Sequence, residues 1–177
     1  RIDGFCVGEP WSSVAVDEGH GVIVATKAEL WNLSPEKVLM LRQSFVSENT
    51  DLTAALIRCL VQACDWIDDR ANRPSAAEWL SRPEYVGVRS DLIIRALVND
   101  LRRGHANLPE PEGDMPVFSR HHANFPWRSH ARWLLTQMIR WGQVRAPFEI
   151  GEVADAVYRT DLYREAIAQL GKSLPPV

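Results

Sequence analysis

The sequence predicts an α/β fold rich in helix, on three observations. A strand, helix, strand unit opens the chain, a long amphipathic helix occupies its middle, and shorter helices run from there to the end. Residues Gly4 to Val7 and Val22 to Thr26 are compact apolar or β-branched runs, and Pro10 to Glu18 between them reads as a short helix. Local rules leave Ser34-Pro-Glu-Lys-Val-Leu-Met-Leu41 ambiguous. Its Ser-Pro-Glu resembles a helix start, while Val-Leu-Met-Leu suits a buried strand. From Asn49 the signal is plainer: Leu52, Leu56, Leu60, Ala63, Cys64 and Ile67 recur at helical spacing, with Asp51 in the first turn and Asn49 placed to cap it. That helix should reach about Asp69. Shorter ones are expected at about Ser75 to Leu80 and Ser90 to Leu101, separated by Arg82-Pro83 and Gly87. Leu108 to Met115, rich in proline, reads as a surface loop. A helix from Ser129 to Trp141 should stop at Gly142, and two more, Glu149 to Tyr158 and Asp161 to Leu170, close the chain.

Composition bounds what such a fold can do. With 177 residues, 46% apolar and 24% charged, the chain can bury a sizeable core in one domain or supply part of a two-lobed protein. The net charge of −3 argues against a nucleic-acid or anionic-membrane partner for the chain as a whole, so any bound anion must be held locally. The longest apolar stretch, Leu52 to Val61, is interrupted by Thr53 and Arg58 and falls well short of the ~20 residues a membrane span needs. The chain starts without methionine and without a leader pattern, and reads as a fragment. Cys6, Cys59 and Cys64 form an odd set, the last two poorly spaced for bonding to each other, and read as three mostly buried thiols.

The stretch Gly4-Phe-Cys-Val-Gly-Glu-Pro-Trp11 carries the chemical interest. A strand ending on Gly8, with Pro10 in the first turn of the next helix, leaves backbone N–H groups near Gly8, Glu9, Trp11 and Ser12 at a helix start that favours a small oxyanion. Glu9 complicates this. Its carboxylate can cap the helix itself, or anchor a cationic side chain that is the actual anion ligand. Elsewhere, the adjacent His121 and His122 diverge on any regular element and His130 follows much later, so no metal site is expected. Trp127, Trp133, Trp141 and Met138 read as core and interface packing rather than a cofactor platform. No nucleophile-elbow, Walker-type or dinucleotide fingerprint occurs.

Three blocks together carry a resemblance: DGFCVGEPW at Asp3 to Trp11, SPEKVL at Ser34 to Leu39, and HANFPWRSHARWLLTQMIRWGQV at His122 to Val144. They resemble the nitrate- and bicarbonate-binding branch of the ABC-transporter solute-binding proteins, and WLSRPEYVGV and VYRTDLYREAIAQLG fit the same pattern. The resemblance implies the carboxy-terminal half of a two-lobed, type II periplasmic-binding-protein-like α/β fold, in a family whose complete members are about twice as long. Residues 1–35 would then end the second lobe, and residues 36–177 would supply a hinge strand and the helical completion of the first. On this implication the Ser34 ambiguity resolves toward strand.

The same resemblance implies a non-enzymatic, cofactor-free site for nitrate or nitrite. The family's glycine-glutamate pair and lysine map onto Gly8, Glu9 and Lys37, with Trp11 beside them. Nitrate is a planar monoanion that cannot donate a hydrogen bond, so it needs a fixed positive charge and several donors. A carboxylate at the lysine position would suit bicarbonate with a metal ion, so Lys37 points to nitrate or nitrite, with bicarbonate as the alternative. The implied partner is an ABC permease and the implied location periplasmic. The alternative is a cytoplasmic nitrate sensor that releases an RNA-binding antiterminator. The fold is shared with pyrimidine-precursor synthases of thiamine biosynthesis, but their cysteine cluster is absent here.

Overall fold

The computed structural model describes residues 2–105, 107–109, 116–145 and 147–175. Among the described residues there are nine α-helices and no strand: α1 (Trp11–Asp17), α2 (Lys27–Leu30), α3 (Gln43–Glu48), α4 (Thr50–Asp68), α5 (Arg73–Leu80), α6 (Ser90–Val98), α7 (Arg128–Arg140), α8 (Ile150–Val157) and α9 (Thr160–Ala168). The chain forms two compact units, Arg1–Ser34 with Asp65–Phe118 and Pro35–Cys64 with Ser119–Val177.

The expected strands at Gly4 to Val7, Val22 to Thr26 and Val38 to Leu41 are therefore corrected. β-Branched runs bias the backbone toward extension, but a strand also needs a neighbour to complete its hydrogen-bond ladder, and these runs have none among the described residues. Their apolar side chains are largely in the open, Val24 at 76% and Met40 at 86% exposure. Neither reading of Ser34 to Leu41 holds, since the segment is neither a helix start nor a strand. Helices α2 and α3 have no counterpart among the sequence expectations. Asn49 ends α3, and its side-chain amide donates to Phe45 O at 3.0 Å instead of capping α4. Residues 110–115 of the expected Leu108 to Met115 loop lie outside the described residues.

The other helices fall close to their expected positions, for reasons visible at their ends. Pro74 sits in the first turn of α5, where its missing N–H costs nothing. Helix α6 stops at Asn99, which takes the left-handed conformation (φ 61°) and returns its N–H to Arg95 O, two residues before the expected end. Gly142 follows α7 at φ 70°, its N–H on Ile139 O at 3.0 Å.

In the first unit the core is Ala76 and Ala77 of α5 against Ile93 and Leu97 of α6, with Ile67, Leu80, Val86, Val88, Ile94 and Phe118 around them. Two alanines on α5 let its backbone approach α6 closely. Arg73, at the start of α5, is 1% exposed and satisfied on several sides. It donates to Ile67 O at 3.1 Å, to Leu97 O and to Pro116 O, lies 3.6 Å from the Asp68 carboxylate, and covers the Phe118 ring. In the second unit α7 packs on α8. Asp155 of α8 receives Arg128 at 3.2 Å and Arg132 at 4.0 Å, and Ala131, Ala154, Ala166 and Ile167 are buried with Phe125, which meets Trp127 and Tyr163 edge to face.

A second buried arginine fixes the extended segment that follows α1. Arg103, 4% exposed, donates to the carbonyls of Ile23, Val24 and Pro109 and to the Glu29 carboxylate, while its own carbonyl accepts the Ile23 N–H at 2.9 Å. Glu29 also closes a reciprocal capping box with Thr26 at the start of α2. The Thr26 backbone N–H, then the Arg103 guanidinium and the Thr26 hydroxyl, hold the Glu29 carboxyl below its ordinary value of 4.5.

Replacing Arg103 by methionine should destabilise the protein by about 3 kcal/mol, because it strips three carbonyls and a carboxylate of their donor; urea unfolding measures this. Glu29→Gln should act differently with pH. A lowered folded pKa contributes stability that is complete above the unfolded value of 4.5 and is lost as pH falls through the folded value. The gap in urea midpoint between wild type and Glu29→Gln should therefore be open at pH 6 and narrow steadily below about 4.5, whereas the Arg103→Met gap should persist in part, since its lost carbonyl partners do not titrate.

Candidate anion-binding site

The sequence around α1 builds its own helix start. Pro10 occupies the N-cap position and has no side chain able to accept a bond, so the cap comes from one residue earlier. Glu9 Oε2 accepts the Ser13 backbone N–H at 3.3 Å and the Ser13 hydroxyl at 2.7 Å. Of the two roles open to Glu9 in the sequence, the structure thus displays the helix cap. A carboxylate there also complements the positive end of the helix. Ser13 is 6% exposed and was not singled out from the sequence; a glutamate before the N-cap with a serine four residues on is the signal that could have found it.

Gly8, Glu9 and Trp11 are brought together by this turn. The Trp11 N–H donates to Gly8 O at 3.3 Å, so it is not among the open donors expected at the helix start. The Trp11 indole is 52% exposed, Gly8 is exposed, and Glu9 is half-buried. Lys37 belongs to the other unit, on the extended segment before α3. Its ammonium donates to Glu36 Oε1 at 2.6 Å, and its side chain is 81% exposed. An exposed pair of this kind contributes little, about 0 to 1 kcal/mol, so Lys37 can exchange Glu36 for another anion at small cost.

The remaining candidates separate cleanly. Among the described residues no cluster of histidine, cysteine, aspartate or glutamate has the makings of a metal site. His121 and His122 both have positive φ, and burial pushes the His130 imidazole below its ordinary value. None of the three cysteines forms a disulfide, but Cys6 and Cys59 are exposed, which corrects the expectation of mostly buried thiols. Trp133 and Trp141 are 44% and 72% exposed, so the expected core role is not met among the described residues, whereas Trp127 packs on Phe125 and donates its indole N–H to His122 O. No helix among the described residues is long and apolar enough to cross a membrane.

Residues 1–81 match the NMT1-like family. The solved structure of the periplasmic nitrate-binding protein NrtA from Synechocystis superposes with a TM-score of 0.86 at 31% identity, covering 94% of this chain and 43% of that one. The chain is 38% identical to the nitrate import ATP-binding protein NrtC of Synechocystis over 97% of its own length and 26% of that protein's. It is 31% identical to the bicarbonate transport ATP-binding protein CmpC of Synechococcus elongatus over 97% of its own length and 25% of that protein's. It therefore spans less than half of the solved binding protein and about a quarter of the two ATP-binding proteins. The resemblance carried by the sequence blocks is borne out, with the fold of NrtA's matching part reproduced although the described residues hold no strand. Over nearly its whole length the chain is similar to part of the nitrate- and bicarbonate-transport proteins, and its first 81 residues carry the pattern of the NMT1-like family.

Proposed function

We propose that the protein containing this chain binds a small oxyanion, nitrate or nitrite, as the solute-binding component of an ABC transporter. The similarity in fold and sequence to the periplasmic nitrate-binding protein NrtA across 94% of the chain carries this reading. In it, residues 1–35 end one lobe and residues 36–177 return through the hinge to complete the other. Gly8, Glu9, Trp11 and Lys37 contribute to the ligand site, and a permease receives the anion on the periplasmic side of the membrane. No step of this role requires a cofactor or a covalent reaction.

The chemistry of these residues suits a monoanion. Lys37 supplies one positive charge on an exposed side chain, and Glu9 is held on Ser13 through Oε2. Glycine at position 8 permits close approach to the backbone. Bicarbonate, which can donate its proton to Glu9, is the harder competitor, and similarity to CmpC keeps it in view.

A second reading is favoured by the 38% identity to NrtC. The same module can be part of an ATP-binding subunit, where anion binding would regulate the transporter instead of delivering its cargo. Nitrate-dependent ATPase activity of the full-length gene product would select this reading, and an absence of ATPase activity would select the first.

In the full-length protein, Lys37→Glu should abolish nitrate binding by isothermal titration, and Gly8→Val should weaken it with less effect on the fold. Unchanged affinity in the lysine variant removes Lys37 from the site. Nitrate and nitrite should raise the melting temperature at lower concentration than bicarbonate or sulfate at equal ionic strength, a ligand at a hundred times its Kd adding about 2.7 kcal/mol of stability. Stabilisation by bicarbonate at lower concentration than nitrate would reassign the ligand.

A further inference from the structure

The first unit carries a pocket that the proposed nitrate site does not use. It holds about 200 Å³ and is lined by Ser13, Val16 and Asp17 of α1, Arg95 of α6, and Arg102 and Gly104 beyond the end of α6. Its shape follows from how the 101–104 segment is held. Leu101 and Arg103 are buried at 1% and 4% exposure, and the Ile23 N–H fixes the Arg103 carbonyl, so Arg102 between them is turned out into the open. Gly104 has φ +75°, and a Cβ there would lie 2.9 Å from Val16 Cγ1 and 3.3 Å from Gly21 O. Only glycine lets the backbone close against α1 in this way.

The charges around the pocket are unevenly committed. Arg89 holds Asp17 at 2.7 Å and Asp91 at 2.8 Å, and Asp91 lies 3.7 Å from Arg95. Arg102 forms no ion pair among the described residues. Two guanidinium groups and one carboxylate leave a net charge of one positive unit, which suits a monoanion better than a dianion. The planar guanidinium fork matches a carboxylate through paired hydrogen bonds. The Ser13 hydroxyl already donates to Glu9, so what Ser13 and Asp17 still offer a ligand is acceptor oxygens. Val16 adds an apolar contact. At about 30 Å³ per water, the volume suits a ligand of about six heavy atoms.

We propose that this pocket binds a small hydroxycarboxylate monoanion, with its carboxylate on Arg102 and Arg95 and its hydroxyl donating to Asp17 or Ser13. It is a second anion site, separate from the nitrate reading in ligand and in residues apart from Ser13, the partner of Glu9, and it does not rest on that reading. Nitrate fits it poorly, having no donor for the acceptor oxygens.

L-lactate and propionate, which differ by one hydroxyl, are the probes. In the full-length protein, lactate should give a saturable binding heat, propionate should bind several-fold more weakly, and inorganic phosphate should not compete. Arg102→Gln should weaken lactate about tenfold while leaving the melting temperature without ligand unchanged, because Arg102 is exposed and unpaired. Lys37→Glu should bind lactate as the wild type does, which separates this site from the nitrate site. A check independent of any variant is the Arg102 Nε–H resonance of the wild-type protein, which should move with lactate. Equal lactate affinity in Arg102→Gln, equal binding of propionate, or an unmoved Arg102 resonance would overturn the proposal.

Discussion

The guanidinium of Arg103 is the constraint on which the first unit depends. A segment such as Val22 to Thr26, extended and rich in β-branched residues, must find partners for its backbone carbonyls or lose more stability than a marginal fold can spare. Here a side chain does what a neighbouring strand would do. Arg103 collects the Ile23, Val24 and Pro109 carbonyls and the Glu29 carboxylate on one planar group. The fork geometry matters, since a lysine at the same place is a point charge without the spread of five donors. Arg73 repeats the device beside α5 and α6, where it joins the carbonyls of Ile67, Leu97 and Pro116.

The consequence reaches the proposed anion site. The Ile23 N–H on the Arg103 carbonyl holds the segment after α1, and Gly104 packs close to Val16 of α1, the helix that follows Gly8 and Glu9. Glu9 then has a structural task of its own. By accepting the Ser13 N–H and hydroxyl on Oε2 it holds the helix start. The proposed basic ligand, Lys37, is exposed and pairs with Glu36, one residue away.

Much of the helical content was legible because its signals are local. Apolar residues at helical spacing gave α4, and Gly142 the stop after α7. What was not legible depends on distant partners. The runs at Gly4 to Val7 and Val38 to Leu41 have strand chemistry, but pairing is a property of two segments, and one alone cannot declare it. Asn49 illustrates the opposite error, where a good cap residue in sequence is claimed by the preceding turn at Phe45. Trp133 and Trp141 were read as core and interface packing, and their exposure removes the core part of that reading. At the site, GEPW marked the turn correctly, yet the hydroxyl that fixes Glu9 belongs to Ser13, outside the motif.

The central proposal is that Gly8 and Lys37 serve one anion. A crystal structure of the complete protein grown with nitrate tests it most directly. The account predicts a planar anion within about 3 Å of both the Lys37 ammonium and a backbone N–H of the Gly8 to Ser12 turn, with the Glu36 contact broken. Nitrate bound elsewhere, with Lys37 still resting on Glu36, would contradict it.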